Sequence, residues 1–369
     1  MKKVPFVNYP LQYKLLKKET DLAITRVLET GNLILRGDVE KFENDMAKFL
    51  GAKYGIGVNS CTDAMMLSLM AAGIGKGDEV ITVSHTFFAT IEVIHHVGAK
   101  PVLIDVKEDF LMDEDQLEKA ITEKTKAIIP VHLNGRVCNM EKIMRIARKH
   151  KLVVIEDAAQ ALGASFKGKK AGSFGLTGSY SFYPAKLLGA AGDGGLAVTS
   201  DKSIAEKLKM LRDHGRKTKT EISCYGFTSR LDNLQAAILN VRFKKIKNWI
   251  SRRREIADIY EKGLKNILNI KTPPSPGSDK DRFDVYQNYV IKAERRDDLY
   301  NFFKDKGVET LIKDPIPNHW QKGIGLSNFK LPVSERLAKE VISLPMYPEL
   351  TNQQVSYVIN CIRDFYRLG

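Results

Sequence analysis

Lys186 stands in SYSFYPAKLLGAAGDGG, with Tyr180, Phe182 and Tyr183 before it and Gly189, Gly192, Gly194 and Gly195 after it. The chain holds 58 lysines and arginines, most of which must be solvated surface residues. An aromatic run on one side and close-packing glycines on the other set Lys186 apart, because they predict a shielded amine. Withdrawal from water disfavours the ammonium form, lowers the pKa and leaves a nucleophile suited to Schiff-base chemistry.

Three further segments supply what such an amine needs. In VVIEDAAQA, residues 153–161, an apolar strand delivers Glu156 and Asp157 at its end. A buried carboxylate there can keep a pyridine nitrogen protonated, which makes an aldimine an electron sink. The competing reading is a helix cap, since Asp before AAQAL is a good N-cap residue, and this segment alone leaves the two even. In VNSCTDAMMLSL, residues 58–69, a strand-like stretch meets Ser60, Cys61, Thr62 and Asp63 before a helical pattern. Free N–H groups and hydroxyls at a helix start cradle phosphate, although an ordinary capped helix has the same signature. In VSHTFFAT, residues 83–90, Phe87 follows a strand and can stack on a flat ring or simply join the core.

Two phosphate-loop imitations fail. GASFKGKK, residues 163–170, has Lys170 where Ser or Thr must ligand magnesium, and GIGKG, residues 73–77, lacks the GxGxxG spacing.

These residues need a scaffold, and the pattern supplies one. Val80–Val83, Pro101–Val106, Ala127–Val131 and Leu152–Ile155 read as buried strands, alternating with helical spacing over Asp115–Ile121 and Met140–Ala147. That alternation predicts a mainly parallel sheet covered on both faces, with ligands beyond the carboxyl ends of its strands. A long helix is predicted from about Leu231 to about Ile250, a loop over Thr272–Asp281, a strand at Tyr289–Ile291 and a closing amphipathic helix carrying Val355, Val358, Ile359 and Ile362. A length of 369 residues suggests two domains, divided near residue 250: 1–250 and 251–369.

Composition narrows the class further. Hydrophobic residues at 43% and charged residues at 28% are ordinary for a globular protein. No apolar stretch approaches membrane-spanning length and no signal peptide is recognisable, which predicts a cytoplasmic protein without membrane association. Cys61, Cys138, Cys224 and Cys361 lie far apart with no CxxC pair, so no metal site is expected. The formal charge of +14 raises a nucleic-acid alternative, densest in residues 202–219 and in RFKKIKNWISRRR, 242–254. The latter shares a helix with Ile246, Trp249 and Ile250 and reads as a solvated face, and no recognition motif accompanies it.

Taken together the segments resemble the DegT/DnrJ/EryC1/StrS family of nucleotide-sugar aminotransferases. GNLILRGDVEKFE (31–43), GVNSCTDA, GKGDEVITVSHTFFAT, VIEDAAQALGA, SFYPAK with GDGG, LRDHGR, SRLDNLQAAIL and SLPMYPELT (343–351) occur in the family's order and spacing. The resemblance implies an α/β fold of the aspartate-aminotransferase type (PLP fold type I): a large, mainly parallel sheet domain plus a smaller C-terminal α+β domain. It also implies a homodimer with shared active sites, pyridoxal 5'-phosphate as cofactor, and ping-pong transfer from glutamate to a nucleotide-linked ketosugar. Lys186 matches the aldimine lysine, Asp157 the pyridine-nitrogen partner, Gln160 the neighbour of the phenolic oxygen and Phe87 the stacking aromatic. Cys61, Thr62 and Ser181 match the phosphate cradle. Arg230 falls in the segment that reaches across from a neighbouring subunit, and His319 and Lys313 match positions near the substrate.

The sequence departs from the family pattern at three places. Cys61 replaces a common Gly, Thr228 a common Asn, and Lys313–Asp314 a common His–Tyr pair. Family dehydratases carry histidine at the lysine position, so Lys186 opposes that reading; a lysine-retaining oxidase stays open. TLIKDPIPNHWQ, residues 310–321, is similar to members acting at C-3.

Overall fold

The structure is a computed structural model that describes residues 4–368. Its main sheet has seven strands: β1 (Tyr54–Val58), β2 (Glu79–Val83), β3 (Lys100–Ile104), β4 (Thr125–Ile128), β5 (Val153–Asp157), β6 (Thr177–Ser181) and β7 (Gly195–Thr199). They lie in the order β1-β7-β6-β5-β4-β2-β3, with β7 antiparallel to both neighbours and the remaining pairs parallel. The four strands predicted from apolar runs are all present, with ends shifted by a few residues. β2 and β7 are buried along their whole length, which is why β2 reads as a continuous apolar run and not as alternation.

Parallel pairing brings the carboxyl ends of β2, β4, β5 and β6 to one edge. Asp157 closes β5, Ser181 closes β6, and the chain leaving β2 enters the turn that carries Phe87. Covering helices follow the predicted pattern at Met140–Lys149, but the helix expected over 115–121 shrinks to Leu117–Ala120. Asp113 explains the loss: its carboxylate accepts the Asp115 N–H at 3.2 Å and the Gln116 amide at 2.8 Å, holding a turn where the helix would start.

The single long helix expected from 231 to 250 is two helices, Asn233–Phe243 and Ile246–Leu264. The break at Lys244–Lys245 redirects the chain from one core to another. Ala236, Leu239, Ile246 and Ile250 pack into the core around the main sheet. Ile256, Ala257, Tyr260 and Leu264 pack into a second core, against an antiparallel sheet of Ile270–Lys271, Tyr289–Ala293 and Val341–Leu344. Helices Arg296–Asp305 and Asn352–Leu368 complete that smaller unit. Val4, from the segment expected in the large unit, joins the second core through a bridge to Val308.

The basic stretch 242–254 is not simply a solvated face. Its lysines are exposed, but Arg253 is buried and donates to the carbonyls of Tyr286, Gln287 and Met346. Arg242 donates to the carbonyls of Gly189 and Ala190, just past Lys186. Residues 163–170 form a small hairpin, Ser165–Phe166 against Lys169–Lys170. No helix among the described residues is long and apolar enough to cross a membrane.

Candidate active site

A cavity of ≈ 560 Å³ opens at the carboxyl edge of the main sheet, and Lys186 lines it together with Cys61, Thr62, Phe87, Asp157, Gln160, Ser181 and Lys313. Eight of the ten residues singled out from sequence therefore converge on one space.

Lys186 follows a tight turn in which its N–H donates to the Tyr183 carbonyl at 2.8 Å. The loop folds back so closely that a Cβ on Gly189 would sit 2.4 Å from the Pro184 oxygen. Burial lowers the Lys186 pKa below its usual value, with Cys61 and Asp157 acting in the opposite direction. The shielded amine predicted from the aromatic and glycine flanks is thus present, and its Nζ makes no hydrogen bond or ion pair among the described residues.

Asp157 is buried, and no helix follows it: residues 158–163 are turns and irregular chain. The helix-cap reading falls. Its Oδ1 accepts the Ala159 N–H at 3.1 Å and its Oδ2 accepts Thr90 Oγ1 at 2.7 Å. A hydroxyl has one proton, so Thr90 accepts in turn from Thr86 Oγ1 at 2.9 Å. Strand alternation sends Glu156 to the opposite face. There it accepts from the N–H groups of Gly172, Phe174 and Gly175 and meets His132 Nε2 at 2.9 Å, a wholly structural use.

The helix Cys61–Ala71 begins at the cavity wall. Ser60 Oγ caps it by accepting the Asp63 N–H at 3.0 Å, and the Ser60 carbonyl takes Ala64 N–H. The N–H groups of Cys61 and Thr62, having no preceding turn to bond, remain for an anion. Gly195 in β7 is required here, since a Cβ would lie 2.2 Å from the Ser60 carbonyl carbon. The Cys61 side chain is buried, and burial followed by the Asp157 charge pushes its thiol pKa well up, so it is an inert wall group.

Phe87 is 66% exposed and Tyr183 53% exposed, both at the cavity. Two large aromatics left open beside a buried carboxylate, a nucleophilic amine and free helix N–H groups are the surroundings of a flat, anionic, nitrogen-bearing ring. Gln160 Oε1 accepts from Asn134 N–H at 2.9 Å and Asn288 Nδ2 at 3.0 Å, which leaves its amide NH₂ for a bound group.

His319 and Arg230 are not brought to the cavity. His319 is fully buried because its ring is engaged on both sides, Nδ1 with Ser84 Oγ at 2.7 Å and Nε2 with Glu335 Oε1 at 3.3 Å. With Asn318, whose amide donates to the Ser84 and Thr86 carbonyls, it pins the turn that carries Phe87. Arg230 pairs with Asp213 at 3.1 Å and lies away from its own chain's Lys186 cavity. Thr228, in place of the common Asn, meets His214 Nε2 at 3.1 Å.

Thr90, Asn134, Gln287 and Asn288 escaped the sequence reading. Thr90 lies three residues beyond Phe87, one helical turn on, and was within reach of the same motif. The pair Gln287–Asn288 precedes the strand Tyr289–Ala293, and two buried amides before an apolar strand are the signal that was missed.

Comparison with known proteins agrees with this geometry. A sequence model described as the DegT/DnrJ/EryC1/StrS aminotransferase family matches residues 14–363. A pleiotropic regulatory protein of Geobacillus stearothermophilus is 44% identical over 99% of both chains. A UDP-N-acetyl-3-dehydro-alpha-D-glucosamine 3-aminotransferase of Acidithiobacillus ferrooxidans is 40% identical over 98% of this chain and 97% of its own. Among solved structures, DesV of S. venezuelae in complex with a ketimine intermediate superposes with a TM-score of 0.95 at 38% identity, covering 99% of each chain.

Proposed function

The chain belongs to the DegT/DnrJ/EryC1/StrS aminotransferase family, and on that premise we propose that it moves an amino group from glutamate to the C-3 carbonyl of a nucleotide-linked ketosugar. It is a pyridoxal-phosphate-dependent aminotransferase of the aspartate-aminotransferase fold. The observation that carries the reading is the placement of Lys186, Asp157, Phe87 and the helix start at Cys61 around one cavity. The C-3 assignment is supported by the relative named for 3-amination and by the likeness of residues 310–321 to such members.

When bound, the cofactor supplies an electron sink for the carbon that loses or gains the amine. The chain's own groups divide the remaining work. The Cys61 and Thr62 N–H groups and the Ser181 hydroxyl would hold the phosphate, while Phe87 would cover one ring face. Asp157, oriented by Thr90 and Ala159, would keep the ring nitrogen protonated. Gln160 would offer its amide NH₂ to the phenolic oxygen. The Lys186 amine, freed from full protonation by burial, would take and return the proton on the substrate's amine-bearing carbon.

The protein would work as a homodimer in the cytoplasm. Ile222, Tyr225 and Phe227, which precede Arg230 in the chain, are exposed, the first two at 67% and 98%, and Tyr13, Leu15, Leu22 and Leu28 are also exposed. An apolar surface of that kind suits burial against a second copy.

Lys186→Ala should remove both turnover and the visible absorbance of the loaded protein while leaving its circular dichroism unchanged. Full amination by that variant would sink the reading. A panel of 3-keto and 4-keto nucleotide sugars, each offered with glutamate, decides the carbon; turnover of 4-keto sugars alone would overturn C-3.

A further inference from the structure

A second chamber of ≈ 270 Å³ adjoins the Lys186 cavity, and the two share Thr86, Phe87, Gln160, Lys186, Leu311 and Lys313 as their common wall. On its far side this chamber is closed by His85, Asn134, Asp314 and Ser343, with apolar residues between them. Lys313 is the one residue in that wall, besides Lys186, able to carry positive charge. It is only partly accessible, and among the described residues it makes no hydrogen bond and no ion pair.

From the junction it occupies, the geometry points to Lys313 as the group that receives the α-carboxylate of the amino-acid donor. This rests on the aminotransferase reading above. A half-buried cation beside a second amine is costly to leave unpaired, and its attraction for an incoming anion rises as water is displaced. Burial and the neighbouring Lys186 lower its pKa to about 8, with Asp314 opposing, so the unpaired state is strained toward neutrality. Asp314 does not relieve this, as no ion pair joins it to Lys313; its backbone is held at φ 49° and burial raises its carboxyl pKa. An arriving amino acid must bring its α-carbon to Lys186, and its α-carboxylate lies one bond from that carbon. The phosphate of the cofactor is already provided for at the helix start across the cavity. His85, stacked on Phe110 and with its pKa lowered by burial to about 4, brings no competing charge.

The probe is 2-methylglutamate, which carries both carboxylates and the amine but has no α-hydrogen to lose. Calorimetric titration into the cofactor-loaded wild type, Lys313→Met and Lys313→Arg measures binding independently of turnover. Loss of a charge-assisted hydrogen bond should weaken binding to the methionine variant by on the order of ten- to a hundredfold. The arginine variant, which keeps the charge, should recover most of it. In single-turnover bleaching of the visible band, glutamate should show the same rise in half-saturation in Lys313→Met. With 4-aminobutyrate, which lacks an α-carboxylate, wild type and variant should not differ. Equal affinity of Lys313→Met and wild type for 2-methylglutamate overturns the inference, as does an equal loss with 4-aminobutyrate. If glutamate leaves the wild-type band unchanged, the donor assignment fails instead. Whichever amino acid does bleach it then takes glutamate's place, since all share the α-carboxylate.

Discussion

Gln287 grips the two peptide groups that flank Lys186: its Oε1 accepts the Leu187 N–H at 2.6 Å and its Nε2 donates to the Ala185 carbonyl at 2.9 Å. The Gln287 carbonyl is itself held by Arg253 Nη1 at 3.0 Å, so the smaller unit fixes the lysine that the larger one presents. Gln287→Ala leaves a donor and an acceptor stranded in a buried place, at about 1–3 kcal/mol each. The variant should unfold at a lower temperature and lose roughly tenfold or more in kcat, because a small displacement of a reacting group is expensive. It should still take up cofactor and develop the visible band, more slowly than wild type. Unchanged kcat with a lowered melting temperature would reduce Gln287 to a structural residue.

Asp157→Asn should retain the fold and much of the cofactor yet lose turnover by about a hundredfold or more, since charge at the substrate carbon has nowhere to go. Thr90→Val keeps the carboxylate and removes one bond that aims it, so its loss should be smaller, roughly tenfold. Single-turnover rates of both half-reactions give the ordering. Equal losses in the two variants would contradict the separate roles given to charge and orientation.

The Lys186 amine reacts only when unprotonated, and burial lowers its pKa from the usual lysine value while Cys61 and Asp157 resist that shift. The rate at which cofactor-free protein combines with pyridoxal phosphate should therefore rise with pH and level off before the pH at which an exposed lysine would. Removing the opposing negative charge in Asp157→Asn should move that plateau to lower pH. Stopped-flow absorbance across a pH series reads both effects, and a rise continuing unabated to the ordinary lysine pKa would contradict a shielded amine.

What was legible in the sequence divides along physical lines. Lys186 could be read from its aromatic and glycine flanks, and Asp157, Phe87 and Cys61 because each follows a buried strand or opens a helix, and apolar runs fix such ends locally. Four of the seven strands of the main sheet were legible for the same reason. Gln287 was not, because its partners lie about a hundred residues earlier, and nothing in VYQNYV encodes that pairing. His319 was expected near the substrate only from the family resemblance; here Ser84 and Glu335 engage both of its ring nitrogens. The break at Lys244–Lys245 was hidden because apolar spacing continues through it; two cores in different directions decide it. Asp115–Ile121 carried helical spacing, but the side chain of Asp113 competes for the backbone that would begin the helix.

Arg230 supplies the last test. Its guanidinium pairs with Asp213 and stays outside the cavity of its own chain, in a segment that also exposes Ile222, Tyr225 and Phe227. If a second copy covers this surface, Arg230 enters the neighbour's site, and two inactive variants can repair each other. Lys186→Ala and Arg230→Ala are mixed in equal amounts, unfolded and refolded together. In a mixed dimer, one site combines Lys186 from one chain with Arg230 from the other, and the second site lacks both. Random pairing makes about half the dimers mixed, each with one good site of two, so activity should return to roughly a quarter of wild type. If Arg230 serves the site of its own chain, every site in the mixture lacks one residue. Activity then stays absent even though chain exchange is confirmed by mass-tagged subunits, and the shared site is ruled out.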